Sequence, residues 1–592
     1  MTKEHLLDNA TFIEIFSISS EIERARKVIE LTEKAKELKC QREFSRMLKV
    51  YEKELANKVS FDNEIVIKDI PLNGLHLNSF TCNNKGIFKK GEKVCYTPVI
   101  ICEILTNKET KNEKVRLAVY NIRTKKWETF VVDNKCLTSN SRILRLNDYK
   151  VSVDSENARE MVKYFTELKN ENINIIPTGE CFSSLGWNGN DFAPYNNLNI
   201  LDNADDFKQI FNSIREKGEY NKWLEIVKET RKNKYVKLAM ATTFASPLLE
   251  KLNVMPYIVN LWSSKSGNGK TVGCMIAMSC WGDPSTKGLQ FSSDSTLNYY
   301  MKVASFLKNI TMYCDEFQKV RSSNLDELVM TLANGKDKGR LNIDRKSEEE
   351  CYWNNTFLFT NNEKVTKENY GEQVFNRIVD VECDGVVVES NEGNKIVGII
   401  KENFGFAGKI YIEYITKVGF KVINERVQKY VEKLCNDYSA TAKQAVCIAT
   451  LLVANELSQE CLFPNEDSLT IDDIKDSINS KQEIETWRKA YRYIINNFSE
   501  NKIFFEETAK TKFWGKKVKQ ENTYIYTVNK DRLEEELKKK NFEFDSIKKD
   551  WDRAGIILRN SNNKFTWNTS VNGEKGSYVV INVLEKYLET DL

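Results

Sequence analysis

The spacing of apolar and polar positions changes several times along the chain. Residues 20–58 hold no glycine or proline, and Ile22, Val28, Ile29, Leu31, Ala35 and Leu38 recur every three or four residues. That period predicts an amphipathic helix packed on a neighbour. From 61 to 150 the texture turns to short β-branched and aromatic runs (64–67, 94–104, 115–120, 127–132) separated by turn clusters such as NNKG and TNKETKNEK, a β-rich module. Helical patterning returns over 154–170 and 204–249, with SLGWNGNDFAPY (184–195) between them reading as strand, turn, strand. Residues 256–383 alternate short, wholly apolar runs with helical stretches, the pattern of a parallel sheet covered by helices. Helices continue to about 458, with an amphipathic run at 440–457. The segment 463–482 is polar and acidic, and the tail from 484 reads as three helices followed by strands.

These textures predict a multidomain α/β protein. Its expected parts are an N-terminal helical region (1–60), a β-rich module (61–200), a sheet-and-helix core (201–400), a helical lid (401–462), a linker (463–483) and a small C-terminal domain (484–592). A length of 592 residues fits several domains at roughly 100–200 residues each. A hydrophobic fraction of 41% excludes wholesale disorder. Charge is nearly balanced, 88 Lys+Arg against 85 Asp+Glu, which excludes a histone-like polycation but leaves room for a local basic surface. The 14 cysteines contain no C-x-x-C, and with 2 histidines neither a zinc site nor Ser-His-Asp chemistry is expected. The opening MTKEHLLDNATF has no apolar signal core, and apolar stretches such as Ala445–Ala454 fall short of the roughly 18–20 residues that span a bilayer. The expectation is a cytoplasmic protein with reduced thiols and no membrane partner.

Chemistry concentrates in the core. YIVNLW (257–262) reads as a buried strand running into SSKSGNGKT (263–271), and VGCMIAMSCW continues as an apolar helix. Phosphate binding needs that order: small residues let backbone N–H groups wrap an oxyanion, and the following helix N-terminus adds its positive end. Ser264, Ser266, Gly267, Asn268, Gly269, Lys270 and Thr271 form the expected nucleotide loop, with Ser264 standing where the usual pattern has its first glycine. Lys270 would reach the β- and γ-phosphates of ATP, and Thr271 would hold Mg²⁺. KNITMYCDE (308–316) is an apolar run ending in two acids, so Asp315 is the second candidate Mg²⁺ ligand and Glu316 the candidate base for the attacking water. WNNTFLFTNN (353–362) brings Asn361 to the end of another buried strand, where an amide could orient water or sense the γ-phosphate. FNRIVDV (375–381) has Arg377 entering a strand, suited to stabilising the transferred phosphate from a neighbouring subunit. A solvent-facing strand end would leave Asp315 and Glu316 without a role; four elements in this order argue against that.

The order of nucleotide loop, Asp-Glu strand, polar strand end and late arginine resembles the AAA+ ATPases, a P-loop family in which the arginine acts in trans. That resemblance implies a ring. LGWNGNDFAP (185–194), LANGKDKGRLNIDRK (332–346), GEQVFNRIVDVECDG (371–385) and NFGFAGKIYIEYI (403–415) resemble a family labelled as domain of unknown function 927, over about residues 65–455. The layout is similar to the Cch-type self-loading helicases of staphylococcal cassette elements and pathogenicity-island Rep proteins, which are MCM-like. It implies an AAA+ core with a helical lid and a C-terminal winged helix. It also implies an ATP- and Mg²⁺-dependent hexameric DNA helicase of 3′→5′ polarity, acting with replication partners on a mobile element or phage. The zinc-binding region usual at the MCM amino terminus has no counterpart in the cysteines and histidines present.

Two basic regions are candidate DNA contacts. Lys336, Lys338, Arg340, Arg345 and Lys346 lie with two glycines between the Asp-Glu and Asn strands, as in a hairpin. In related ring helicases such a hairpin grips the DNA backbone in the channel. The bland alternative is a solvated loop balanced by Glu348–Glu350. In the tail, a helix over 546–558 capped by Asp545 would turn Ile547, Trp551, Ala554 and Ile557 inward and leave Lys548, Lys549 and Arg553 to phosphates, with a winged pair of strands following. The run TAKTKFWGKKVK (508–519) adds charge nearby. Expected partners are single- and double-stranded DNA and further copies of the chain. The competing reading is a nucleotide-switched DNA-binding regulator or defence ATPase that never unwinds a duplex. A motor should lose DNA-stimulated hydrolysis when Lys336 and Lys338 become Ala, whereas a switch need not.

Overall fold

The structure, a computed structural model, describes the chain except at residues 1, 19, 57–58, 62–64, 68–69, 196–206, 318–321, 338–350, 368–371, 481–484, 507–512, 521–522, 541 and 589–592. The side chains of 21, 52–56 and 322–326 are also outside the description. Two compact units emerge: Met1–Ser183 with Asn188–Lys208, and Ser184–Trp187 with Gln209–Leu592.

The first unit begins with short helices around a core of Leu6, Phe12, Ile15, Leu31, Ala35, Cys40 and Phe44. The single helix expected over 20–58 is two, Glu21–Glu37 and Gln41–Ala56. Lys39 takes a left-handed φ of 55°, and Cys40 N–H closes on the carbonyl of Ala35 at 2.8 Å, folding the chain back. The expected apolar stripe is only half used: Leu31 and Ala35 are buried, while Ile22 and Ile29 are 69% and 60% exposed. The β-rich module follows as two four-stranded sheets. One contains Val99–Asn107, Glu113–Asn121 and Lys126–Asp133 in antiparallel register, extended by Thr178–Cys181. Helix Ala158–Glu171 packs on it, with the Tyr164 hydroxyl donating to Val99 O at 2.7 Å.

The second unit is built on a five-stranded parallel sheet: β1 (Tyr257–Trp262), β2 (Gln290–Ser292), β3 (Met312–Asp315), β4 (Thr356–Asn361) and β5 (Ile378–Glu382), in the order β2-β3-β4-β1-β5. β1 and β4 are buried almost throughout, which is why they read as continuous apolar runs. Its helices include α1 (Lys234–Leu252), α2 (Lys270–Ser279), α3 (Leu297–Leu307), α4 (Ser322–Asn334), α5 (Ser390–Glu402), α6 (Ala407–Val418), α7 (Phe420–Asp437) and α8 (Ala442–Leu462). α8 has 21 residues, with an 18-residue window of mean hydropathy 1.3, so by length and composition it could cross a membrane, against the expectation from Ala445–Ala454 alone; 72% of that window is buried inside the protein, as in a core helix. Arg231, 0% exposed, ties the front of this unit to α8 by donating to Glu466 at 2.7 Å and Asn455 at 3.1 Å, with its guanidinium 4.4 Å from the Phe463 ring centre. Burial pushes its pKa down, opposed by Glu466. The upstream LGW motif has a packing role: Trp187 Nε1 donates to Pro247 O at 2.7 Å, its N–H to Asn309 at 2.9 Å, and Lys308 Nζ to its carbonyl at 2.6 Å.

Past α8, Leu469, Ile471 and Ile474 are buried, and the amide of Gln444 clamps residues 477–479 through Ser477 O and Asn479 N–H. The tail then differs from the expected helix-helix-helix order. α9 (Thr486–Glu500) is followed by an antiparallel hairpin, β6 (Gly515–Gln520) and β7 (Thr523–Asn529), and only then by α10 (Lys530–Lys538) and α11 (Phe544–Arg553). Three lysines on β6 mask its alternation. Glu543 is the N-cap of α11 and Asp545 lies in its first turn; Gly555, at φ 74°, ends it, so Ile557 belongs to strand β8 (Ile557–Leu558). β9 (Trp567–Val571) and β10 (Glu574–Asn582) pair around Asn572-Gly573, both at positive φ, as a two-residue hairpin requires. Ile547 and Trp551 enter the small core shared with Ile494, Phe498 and Val579, as expected, while Ala554 is half-buried.

Candidate nucleotide site

β1 delivers the chain at its C-terminal edge into a loop that turns straight into α2. Gly267 and Gly269 have φ of 79° and 86°, a left-handed region open to glycine at little cost. A Cβ on Gly269 would lie 2.5 Å from both N and O of Val388, so the loop closes against the following segment only because no side chain is there. Asn268 O accepts from Val387 N–H at 2.8 Å, and Ser390 Oγ donates to Gly267 O at 3.3 Å. Lys270 opens α2 and is 8% exposed; its ammonium donates to Asn268 Oδ1 at 3.1 Å and Lys265 O at 3.4 Å. Burial pushes its pKa below the ordinary lysine value, so the site holds an under-compensated cation at a helix N-terminus.

β3 and β4 bring the remaining groups to the same edge. Thr271 Oγ1 donates to Asp315 Oδ1 at 3.0 Å, Thr360 Oγ1 donates to the same oxygen, and Gln290 Nε2 reaches Asp315 Oδ2 at 3.2 Å. A hydroxyl and a carboxylate oxygen meeting here are the hard donor pair that Mg²⁺ uses when phosphates complete its shell. Among the described residues no group of three or more His, Cys, Asp and Glu could hold a metal alone. Glu316, the next residue, is exposed, takes φ of 51°, and donates its N–H to Thr360 Oγ1 at 3.0 Å. A non-glycine residue held in that region is a strained position of the kind that collects at working sites.

Ser266 through Thr271, Asp315, Glu316, Thr360, Asn361 and Asn362 line one cleft of about 350 Å³, closed on the other side by the start of α5. Ser264 is exposed on the loop outside that lining. Val272, Val388 and Val397 give the cleft an apolar wall, and Glu389, Ser390 and Asn394 give it polar groups. The α5 contribution was not found from sequence, because it lies more than a hundred positions from the loop and carries no local mark of proximity; Gln290 was missed because the three-residue β2 that carries it has no apolar run. Among the described residues lining the cleft, Lys270 is the sole cation.

Arg377 lies at the other edge of the sheet. It precedes β5, its carbonyl accepts from Ile258 N–H at 2.9 Å at the start of β1, and Nη1 donates to Ala333 O and Asn334 Oδ1, both at 2.7 Å. It therefore cannot serve the cleft of its own chain.

Of the basic loop, only its root is described. Lys336 and Tyr352 form an antiparallel bridge, with Asp337 N–H to Cys351 O at 2.9 Å and Trp353 N–H to Gly335 O at 3.0 Å. The chain thus leaves and re-enters as the base of a hairpin, with Lys336 exposed and Trp353 buried as its anchor. Lys338, Arg340, Arg345 and Lys346 lie outside the described residues. On α11, Lys548 pairs with Asp545 and Arg553 with Asp550 at 3.0 Å, while Lys549 is exposed. Lys516, Lys517 and Lys519 are exposed on β6; residues 508–512 of that run are outside the description.

Comparison with known proteins agrees with this picture. Residues 73–348 match the family described as Domain of unknown function (DUF927). No curated protein sequence matches. The solved structure of SCCmec type IV Cch, described as an active helicase, superimposes with a TM-score of 0.66 at 14% identity, covering 86% of this chain and 98% of that one. The A form apo structure of the NrS-1 C-terminal region matches with a TM-score of 0.30 at 12% identity, over 81% of this chain and 95% of that one. The chain has the fold of the Cch helicase, and its residues 73–348 are similar to the DUF927 family.

Proposed function

We propose that the protein is an ATP-driven DNA helicase of the AAA+ kind, working as a ring of six copies in the replication of a mobile genetic element or phage. The observation that carries this is the division of labour across one sheet. Lys270, Thr271, Asp315, Glu316 and Asn361 meet at its C-terminal edge, while Arg377 stands at the opposite edge. Lys270 is the sole protein cation among the described residues that line the cleft, which leaves room for a second protein cation, Arg377, to come from a neighbouring copy.

In this reading the loop N–H groups and Lys270 hold the phosphates, and the apolar wall of Val272, Val388 and Val397 takes the base. Thr271 and Asp315 would hold Mg²⁺, which would neutralise phosphate charge when bound. Glu316 takes the proton of the attacking water, and Arg377 of the next copy stabilises the charge on the transferred phosphoryl group. The hairpin rooted at Lys336 carries the grip on DNA, by phosphate contact without base reading, as a translocating motor needs. The C-terminal α9–α11 and β9–β10 unit is a winged helix with α11 toward DNA. Polarity of 3′→5′ and self-loading are part of the proposal, supported by the likeness to Cch-type helicases.

Subunit mixing tests the ring. Arg377→Ala should lower kcat for ATP by about 10³-fold, the usual worth of such an arginine. Lys270→Ala should be inactive as well. Mixed together they should regain ATPase activity above either alone, since one interface type then pairs an intact loop with an intact arginine. A mixture that co-assembles without any gain would contradict action in trans. For the hairpin, Lys336→Ala should reduce the slope of log K against log salt for DNA binding by about one. An unchanged slope would remove Lys336 from the DNA surface.

A further inference from the structure

We propose that Asn260, held by Asp380, is a positioning residue that fixes the Asn361 amide with its oxygen toward the cleft, so that Asn361 accepts a hydrogen bond from the attacking water. This rests on the ATP-hydrolysis reading above. Asn260 is 0% exposed in the middle of β1, between Val259 and Leu261, where an apolar side chain would pack as well. Its Nδ2 donates to Asp380 Oδ1 at 2.6 Å and to Glu363 O at 3.4 Å. Its Oδ1 accepts from Asn361 Nδ2 at 2.8 Å.

The direction of this chain follows from what each group can do. A carboxylate and a backbone carbonyl only accept, so the Asn260 amide must turn its nitrogen to Asp380 and Glu363. Its oxygen then faces Asn361, and Asn361 must answer with its nitrogen. The Asn361 oxygen is what remains: it is buried in the cleft lining, at a residue 4% exposed, and has no hydrogen-bond partner among the described residues. A buried amide oxygen left so is a group waiting for a donor. A phosphate oxygen offers none, and water does.

Asp380 is itself fixed. Its Oδ1 also accepts from Val365 N–H at 3.0 Å, and its Oδ2 accepts from Thr366 N–H at 3.0 Å and from the Thr366 hydroxyl. The loop after β4 thus holds Asp380, Asp380 with the Glu363 carbonyl holds Asn260, and Asn260 holds Asn361. Two of the three side chains in that sequence sit on strands other than the one carrying Asn361.

The test is a double-mutant cycle read by steady-state ATPase kinetics, with fluorescent ADP binding as the check on folding. Asn260→Ala should lower kcat about tenfold with KM for ATP within about twofold, the effect of losing water orientation and not nucleotide contact. In an Asn361→Ala background the same substitution should add less than about twofold, because its only route to the reaction is gone. Asp380→Asn carries the same expectation and serves if Asn260→Ala fails to bind ADP. A full tenfold loss in the Asn361→Ala background, or an unchanged kcat in the single variant, would overturn the relay while leaving the ATPase reading intact. A wild-type protein that hydrolyses no ATP would remove both.

Discussion

Replacing Glu316 by Gln is expected to give a protein that binds ATP and keeps it, with turnover lowered by about 10²–10⁴-fold, the usual contribution of a positioned general base. The substitution preserves size and hydrogen-bonding shape but cannot take a proton. The backbone conformation at φ 51° and the N–H bond to Thr360 are properties of the main chain, so the loop should keep its form. Phosphate release and retention of labelled ATP are the two measurements. Hydrolysis at the wild-type rate would place the base elsewhere.

Lys270→Ala should remove nucleotide binding, with affinity for ATP falling by about 10²–10³-fold, as for truncation of one partner of a desolvated charge pair. Its effect on the empty protein has the opposite sign. Burial lowers the Lys270 pKa, so the folded state binds that proton less well than the unfolded chain does, and the ammonium costs stability at neutral pH. The variant should therefore melt at or above the wild-type temperature without nucleotide, and lose the rise that Mg²⁺-ATP gives the wild type. A variant that melts lower than wild type in both conditions would show Lys270 to be a structural residue.

The parts of the site that could be read along the chain are those whose chemistry is local. Gly269, Lys270 and Thr271 are neighbours, and Asp315 and Glu316 end an apolar run, so strand, loop and helix texture were enough to place them. Asn260 and Asp380 were invisible for a converse reason: each is a single polar residue inside a strand, and only the pairing of β1 with β4 and β5 joins them to Asn361. The α5 wall was missed because Val388 reaches Gly269 through backbone contact across more than a hundred residues. In the fold, β1, β3, β4 and β5 of the core sheet follow from apolar runs, but the short β2, the reversal at Lys39 and the β6–β7 hairpin do not. A left-handed lysine carries no compositional mark, and Lys516, Lys517 and Lys519 replace the apolar residues by which a strand is usually found.

Arg377 shows what a single chain leaves open. The residue was expected at a neighbour's nucleotide, and in the folded chain it binds Ala333 and Asn334 on the edge away from its own loop. Those two bonds fix its side chain next to Gly335 and Lys336, which pair with Trp353 and Tyr352.

The claim that this is a DNA motor is tested most directly by strand displacement on forked duplexes with a 3′ or a 5′ single-stranded arm, in the presence of Mg²⁺-ATP. The wild type should unwind the substrate bearing the 3′ arm, and Lys270→Ala should unwind neither. Unwinding that persists in Lys270→Ala, or ATP hydrolysis by the wild type with no displacement of either fork, would contradict it.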